Sequence, residues 1–573
     1  MVEVTSLHGL VSDVVAGAIA RVRPELAGAD PVVRRSERAD FQSNAALALA
    51  KKVGVTPREL AGDLAAEVVR GPVAGVELSG PGFLNITLTD RAVWEQVAAR
   101  QGERLGIGTP RAGQRTVVDY SAPNVAKEMH VGHLRTTVIG DTLVRVLEFL
   151  GAEVVRQNHV GDWGTQFGML IQYLDEHPDV PWHGLSELDD LYRAARAEFD
   201  ADPAFADRCR RRVVDLQAGD PATLATWRAI VAESEKAFHA VYARLGVLLT
   251  PADTAGESYY NPMLADTAAD LENAGIAVHS DGALVIFSEH QRGRDGDPVP
   301  LMVRKSDGGF GYDTTDLATI RHRVRTLHAD RLIYVTDARQ AQHFALIFEV
   351  ARRAGWLPDT VDVRHVAYGM VLGPDGRPFR TRAGGTVRLT DLLDAAVDRA
   401  RVVVAEKNPD LDPATLDRIA EQAGIGAVKY ADLSTSRTKD YLFDVDRMVS
   451  LSGNTAVYLQ YAHARIRSIL RNAGEHAAAV DPAVPLHPAE RRLAIAVDGL
   501  AATLTEVVDT CEPHRLCAYL YDLARAFTSF YEACPVLKAA EPVRATRLAL
   551  CDRTAATLRL GLSLLGIAAP DSM

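Results

Sequence analysis

The feature that most constrains the fold is a short apolar strand that leads, through a polar turn, into a long amphipathic helix. The strand is predicted at Thr116–Tyr120. The helix is predicted at Leu134–Leu150, where apolar residues recur at helical spacing and Gly151 provides a stop signal. In an open parallel sheet such a turn binds nucleotide phosphates, because the free N–H groups and positive end of the helix face them.

The turn carries two imidazoles and an ammonium, from His130, His133 and Lys127. We expect the imidazole pair and the ammonium to offset negative charge on ATP phosphates. One alternative is that the histidines only satisfy polar groups at a helix start. Another is a zinc site with two ligands at i, i+3 spacing, but no nearby cysteine or H-E-x-x-H pattern completes one.

Composition describes a globular protein with several cores, since the 573 residues are 47% hydrophobic with a mean hydropathy of -0.04. The net charge of -12 argues against non-specific adhesion to nucleic acid, while local basic surfaces remain compatible with binding one RNA. We find no bilayer-spanning apolar stretch and no secretion signal. Five cysteines without C-x-x-C spacing predict reduced thiols and a cytoplasmic location.

Four regions are predicted along the chain. Residues 1–110 form an α+β module that includes a hairpin with Gly-Pro-Gly at its turn. Residues 111–386 alternate strands and helices, which predicts a doubly wound parallel sheet of the Rossmann-like class with a helical insertion at about 175–300. Residues 387–452 are connecting helices, and residues 453–573 form an all-α bundle.

The segment His-Val-Gly-His at 130–133 resembles the HIGH signature of class I aminoacyl-tRNA synthetases. The preceding Ala-Pro-Asn-Val-Ala-Lys resembles the arginyl-tRNA synthetase version of that signature. Further stretches similar to this family are Phe41–Lys52, Gly80–Asn85, Gly161–Gly168, Gly369–Gly373, Thr381–Val387 and Tyr430–Ser434. The resemblance implies that arginine and ATP form arginyl-adenylate, and that the acyl group then passes to the terminal adenosine of tRNA(Arg). It also implies that tRNA is needed for the first step.

The resemblance implies an ATP site in which His130 and His133 donate ring N–H bonds and Gly132 gives room for adenine or ribose. Further candidates for ATP contact are Pro123, Asn124, Gln342, His343, Met370 and Val371. For Gln342 and His343 a core or surface role is an equal alternative. Mg²⁺ is expected on the leaving phosphates, held by ATP and water, with no tightly bound protein metal.

The KMSKS loop that class I enzymes usually carry is absent, and Gly373–Gly385 stands at the corresponding place. By resemblance Lys127 replaces the missing lysine, since a compact ammonium suits clustered phosphate charge. Arg380 and Arg382 are further candidates for the pyrophosphate. The alternative for these arginines is a solvated basic loop.

Arginine recognition requires carboxylates, because a guanidinium is a planar fork of donors. By family correspondence the acids are Glu257 and Asp316, with Tyr312 stacked on the guanidinium plane. Asn124 and Gln340 are candidates for the α-amino and carboxylate ends of the substrate. Considered singly, each acid is more typical of an exposed surface. Such a polar pocket needs no editing domain.

The resemblance implies that the N-terminal module binds the outer corner of the tRNA and that the C-terminal bundle reads the anticodon. The candidate contacts are Asn44, Tyr458, Tyr461 and Arg465. Aromatic rings and arginines suit unstacked bases and phosphates, although ordinary helix packing is the alternative. The family norm is a monomer.

Two other functions are compatible with parts of the pattern. One is a related ligase that activates a different amino acid. The other is a non-enzymatic RNA-binding paralogue, but such paralogues commonly lose the active-site histidines, which this chain keeps.

Overall fold

The structure, a computed structural model, describes residues 4–68, 70–180, 182–293, 295–373, 375–379, 387–474 and 478–573. The strands are β1 (Val33–Arg35), β2 (Phe41–Ser43), β3 (Val73–Ser79), β4 (Phe83–Leu88), β5 (Arg115–Asp119), β6 (Glu153–Gln157), β7 (Val278–Ser280), β8 (Ala283–Arg292), β9 (Pro298–Arg304), β10 (Arg331–Tyr334), β11 (Asp362–His365), β12 (Val371–Leu372) and β13 (Tyr441–Leu442).

The first ten helices are α1 (Leu7–Val22), α2 (Ala45–Val53), α3 (Pro57–Glu67), α4 (Asp90–Ala99), α5 (Val131–Phe149), α6 (Thr165–Glu176), α7 (Leu185–Ala201), α8 (Pro203–Ala218), α9 (Pro221–Leu245) and α10 (Glu257–Asn273). The later helices are α11 (Tyr312–Arg325), α12 (Ala341–Arg353), α13 (Leu389–Lys407), α14 (Pro413–Leu433), α15 (Val445–Met448), α16 (Ala456–Ala473), α17 (Pro488–Asp498), α18 (Leu500–Thr510), α19 (His514–Ala533) and α20 (Val543–Leu564).

The N-terminal module is a four-stranded antiparallel sheet with the order β1-β2-β4-β3, covered by helices. The predicted hairpin is present as β3 and β4, whose pairing ends at Ser79 and Phe83 around the Gly-Pro-Gly turn. Helix α3 begins with a capping box between Thr56 and Glu59 and with Pro57 in its first turn. Local signals therefore set these elements.

The central region contains a four-stranded parallel sheet with the order β11-β10-β5-β6. The chain runs from β5 to β6 on one side and then returns to place β10 on the other side of β5. The prediction of a doubly wound parallel sheet is confirmed. The winding direction reverses between β5 and β10, so a crevice lies at their carboxyl ends, which is where ligands bind in such folds.

The insertion is helical through α7–α10, but its last part is not. Strands β7, β8 and β9 form a separate antiparallel sheet, so the prediction of a helical insertion up to about residue 300 is wrong for Val278–Arg304. The turn between β7 and β8 consists of Asp281 and Gly282, which both have positive φ, at 49° and 79°. An Asp-Gly pair between apolar runs is a strong hairpin signal.

The C-terminal bundle, α16–α20, is helical as predicted, and it packs against the N-terminal module. Arg100 forms a buried ion pair with Asp498 at 2.6 Å, and the backbone N–H of Leu7 donates to the same carboxylate. These contacts join the N-terminal module to the C-terminal bundle. All five cysteines are buried free thiols. Among the described residues, no helix has the length and apolar character needed to cross a bilayer.

Candidate active site

The two histidines of the turn cap helix α5, which begins at Val131, three residues before the predicted start. His130 is the N-cap residue, and its Nδ1 accepts from the backbone N–H of Gly132 at 3.0 Å. The backbone N–H of His130 donates to Nδ1 of His133 at 3.1 Å. Because both Nδ1 atoms are acceptors, each neutral ring carries its proton on Nε2. The cap thus leaves two Nε2–H donors, on rings whose centroids are 4.0 Å apart.

These rings are neutral donors. Burial, together with the neighbouring His130, lowers the pKa of His133 to about 3. Burial, together with the charge of Lys127, also lowers the pKa of His130. The positive charge at this end of the crevice therefore comes from Lys127 and from the helix terminus, while the imidazoles supply N–H groups.

Gly132 is required by the histidine cap. A Cβ at this position would lie 2.7 Å from Cε1 of His130, which is closer than carbon atoms approach. The missing Cβ therefore makes room for the ring of His130, and the approach of adenine or ribose to Gly132 stays a prediction.

Lys127 lies beside the cap and is held by the helical insertion. Its Nζ is 4.5 Å from the ring centroid of Tyr192 on α7, a cation–π distance. The sequence analysis missed Tyr192, because one aromatic residue on an insertion helix carries no local signal. Arg380 and Arg382, the other basic candidates, lie outside the described residues.

A short segment joins the histidine turn to the first predicted pocket acid. Backbone hydrogen bonds pair Pro123–Val125 with Gly161, and a Cβ on Gly161 would lie 2.7 Å from Oδ1 of Asn124. The adjacent carbonyl of Val160 accepts from the backbone N–H of Glu257 at 3.1 Å. Asn124 and Glu257, predicted for opposite ends of one substrate, therefore flank the same segment.

Glu257 is the first residue of α10 and belongs to a group of acids. Burial, together with the negative charges of Asp162 and Asp316, raises the pKa of Glu257 to about 8. Asp162 is buried and accepts from the backbone N–H of Ser258 at 2.9 Å and from its hydroxyl at 2.5 Å. Burial raises the pKa of Asp162 as well. With a pKa of about 8, the carboxyl group of Glu257 is protonated at neutral pH. The sequence analysis assigned no role to Asp162, although its motif was noted.

Tyr312 and Asp316 lie one turn apart at the start of α11, so the helical spacing assumed for them is present. Asp316 accepts from Nε2 of His343 at 2.6 Å, and Asp313 lies 3.4 Å from Nδ1 of the same ring. The ring of Tyr312, 66% exposed, meets His343 edge to face at 5.2 Å. Burial alone would lower the pKa of His343, but the two carboxylates raise it to about 9. His343 thus lies among the acids. Asp313 was missed, although its i, i+3 spacing to Asp316 was a usable signal.

The remaining candidates for ATP or arginine contact follow the neighbouring strands. Gln340 and Gln342 are exposed at the start of α12, after β10. Met370 and Val371 follow β11, and the backbone N–H of Met370 donates to Asp440 at 2.6 Å. All four lie at the carboxyl edge of the sheet, as His130 does.

The predicted tRNA contacts lie on other parts of the molecule. Asn44 is the N-cap residue of α2 in the N-terminal module. Helix α16 carries the other three, of which Tyr458 is half-buried and Tyr461 is 45% exposed. The guanidinium of Arg465 lies 4.5 Å above the ring of Tyr531. The structure therefore separates these residues from the catalytic crevice.

Comparison with known proteins decides the family. Residues 98–445 match the model described as tRNA synthetases class I (R), catalytic domain. Residues 9–88 match the arginyl tRNA synthetase N terminal domain, and residues 459–573 match the DALR anticodon binding domain. The chain belongs to the arginyl-tRNA synthetase family.

Full-length relatives agree with this family. The chain is 67% identical over 584 residues to an arginine–tRNA ligase of Frankia casuarinae, covering 100% of the chain and 99% of the relative. It is 53% identical over 586 residues to that of Streptomyces coelicolor, covering 100% of both.

Two solved arginyl-tRNA synthetases also match in structure. That of Plasmodium falciparum has a TM-score of 0.87 at 28% identity, with 100% of both chains covered. That of Thermus thermophilus has a TM-score of 0.83 at 27% identity, covering 99% of this chain and 100% of that one. The predicted family, class I fold and ligase class are confirmed.

Proposed function

We propose that this enzyme ligates arginine to tRNA(Arg) in two steps within the crevice at the carboxyl ends of β5 and β10. The proposal rests on one observation, which is that two sets of side chains lie at the same edge of the sheet. The capped histidines present two N–H donors suited to phosphate. The acids around Glu257 are suited to a guanidinium.

In the first step the arginine carboxylate attacks the α-phosphorus of ATP, and pyrophosphate leaves. Negative charge grows on the phosphate oxygens, so preorganised donors lower the barrier. We assign the Nε2–H groups of His130 and His133, the N-terminus of α5 and the ammonium of Lys127 to these oxygens. Arg380 and Arg382 remain candidates for the pyrophosphate. In the second step a hydroxyl of the terminal adenosine of the tRNA attacks the carbonyl carbon and expels AMP.

Arginine selection rests on ionised acids. We assign Glu257 and Asp316 to the guanidinium, Tyr312 to its face, and Asn124 and Gln340 to the α-amino and carboxylate ends. Bound guanidinium favours the ionised form of Glu257, so its proton leaves when arginine enters. Lysine and citrulline would leave buried acceptors unpaired and are therefore rejected.

ATP enters with Mg²⁺ on its phosphates. Within the described residues no group of three or more histidines, cysteines or acids is placed to hold a metal ion. We therefore assign the ion to the phosphates and water, as is usual for Mg²⁺ bound with a nucleotide. The adenosine contacts assigned by position are Pro123, Asn124, Gln342, Met370 and Val371.

The tRNA is assigned to two surfaces outside the crevice. On the N-terminal module, Asn44 is the residue assigned to tRNA contact. The exposed ring of Tyr461 and the stacked pair Arg465 and Tyr531 suit unstacked bases on the bundle. We propose a monomer, the norm that the family resemblance implies, which sedimentation at assay concentration tests.

The decisive experiment is amino-acid-dependent ATP–pyrophosphate exchange with tRNA(Arg) present. We expect exchange with arginine and none with lysine, citrulline or the other standard amino acids. Exchange driven by a different amino acid, or none with any, would overturn the proposal.

A further inference from the structure

His343 lies between two carboxylates that one helix presents on consecutive turns. Its Nε2 is 2.6 Å from Oδ2 of Asp316, and its Nδ1 is 3.4 Å from Oδ1 of Asp313. A neutral imidazole has a donor on only one nitrogen, so a ring facing an acceptor oxygen on each side is satisfied only when both nitrogens carry protons. The geometry therefore places a fixed positive charge against Asp316.

Asp316 lies close enough to Glu257 that its negative charge helps to raise the pKa of Glu257. Its Oδ2 is held by His343, which leaves Oδ1 as the acceptor for a substrate. The carboxyl group of Asp316 thus lies between the His343 cation on α12 and the acid Glu257 on α10. The charged and titratable groups that face this pair are Asp313, Tyr312, Glu257, Tyr334 and His365.

We propose that His343 is a positioning residue for amino-acid selection, which holds Asp316 ionised and oriented so that the pocket accepts a guanidinium and rejects a neutral group of the same shape. This inference rests on the proposed selection of arginine. His343 acts through Asp316 and is not assigned a contact with the substrate.

The consequence concerns citrulline, which has a carbonyl oxygen where arginine has N–H donors. The ionised carboxylate of Asp316 has no proton to donate to that oxygen, so citrulline finds no partner at this acid. Without the imidazolium, Asp316 and Glu257 face each other with no cation beside them, and like charges favour uptake of a second proton. A protonated carboxyl group then donates to the citrulline carbonyl.

The test compares the wild-type enzyme with His343→Gln, whose amide keeps one N–H toward Asp316 but carries no charge. Arginine-dependent exchange is measured with tRNA(Arg) across pH 6 to 9, and citrulline is measured both as a substrate and as an inhibitor. In the wild type we expect kcat/KM for arginine to fall at low pH with the uptake of one proton. In the variant we expect two protons, and a preference for arginine over citrulline reduced about 10–100-fold.

His322→Gln is the matched control, since His322 is a half-buried histidine on α11 that contacts Tyr259 and Tyr260 rather than the acids. It should leave the proton count and the citrulline ratio unchanged. If His343→Gln does not fold, His343→Asn carries the same measurements. A variant with one controlling proton and an unchanged citrulline ratio overturns the inference. If the wild type itself shows no arginine-dependent exchange, the proposed function fails instead.

Discussion

Arginine should bind more weakly as the pH falls from 8 to 6, because Glu257 holds a proton when the pocket is empty. Burial and two neighbouring acids raise the pKa of this carboxyl group to about 8. A guanidinium pairs with the ionised form, so the proton must leave on binding. Affinity therefore rises with pH until Glu257 is ionised in the free enzyme, and levels off above about pH 8.

The magnitude follows from that pKa. Near pH 7 about nine-tenths of Glu257 is protonated, so each arginine should release about 0.9 proton. Between pH 8 and pH 6 the protonated fraction rises enough to weaken apparent binding about 50-fold. Glu257→Gln should abolish this dependence. It should also raise KM for arginine about 10²–10³-fold, because it removes one partner of a buried charge pair.

Titration calorimetry in two buffers of different ionisation enthalpy counts the released protons directly. Glu148→Gln is the matched control, since burial also raises the pKa of Glu148 but its partner is Arg156, outside the pocket. The control should release the same number of protons as the wild type. Proton release near zero, with equal affinity at pH 6 and pH 8, would refute the assignment of Glu257 to the guanidinium.

Three further changes test other parts of the site. Lys127→Ala should lower pyrophosphate exchange about 10²-fold or more, and near-normal exchange would contradict its role at the phosphates. His133→Asn keeps an acceptor for the backbone N–H of His130 but loses the Nε2–H donor. It should lower exchange about 10–100-fold with little change in the thermal unfolding temperature, and a normal rate would leave His133 only a capping role. Tyr461→Ala should weaken tRNA binding by about 1–3 kcal/mol in a filter-binding assay without altering KM for ATP, and unchanged affinity would argue against base stacking.

Several features could be predicted from local sequence because they depend on neighbours in the chain. Helix α1, Leu7–Val22, depends on apolar periodicity and on the cap at Ser6, which act within a few residues. The histidine cap is also local, since His130 and His133 are three residues apart. The hairpin at Asp281 and Gly282 was equally local, and its Asp-Gly signal was overlooked.

The electrostatic character of the site was decided by tertiary structure. Asp162, Glu257 and Asp316 come from three separate elements, and the raised pKa of Glu257 arises from burial and from charges acting through space. The pairing of His343 with Asp316 likewise depends on how α11 and α12 pack. Residue types, spacing and family likeness by themselves determined the elements, the nucleotide turn and the candidate acids. Protonation and mutual orientation required the fold, because desolvation and charge coupling depend on distances between segments far apart in the chain.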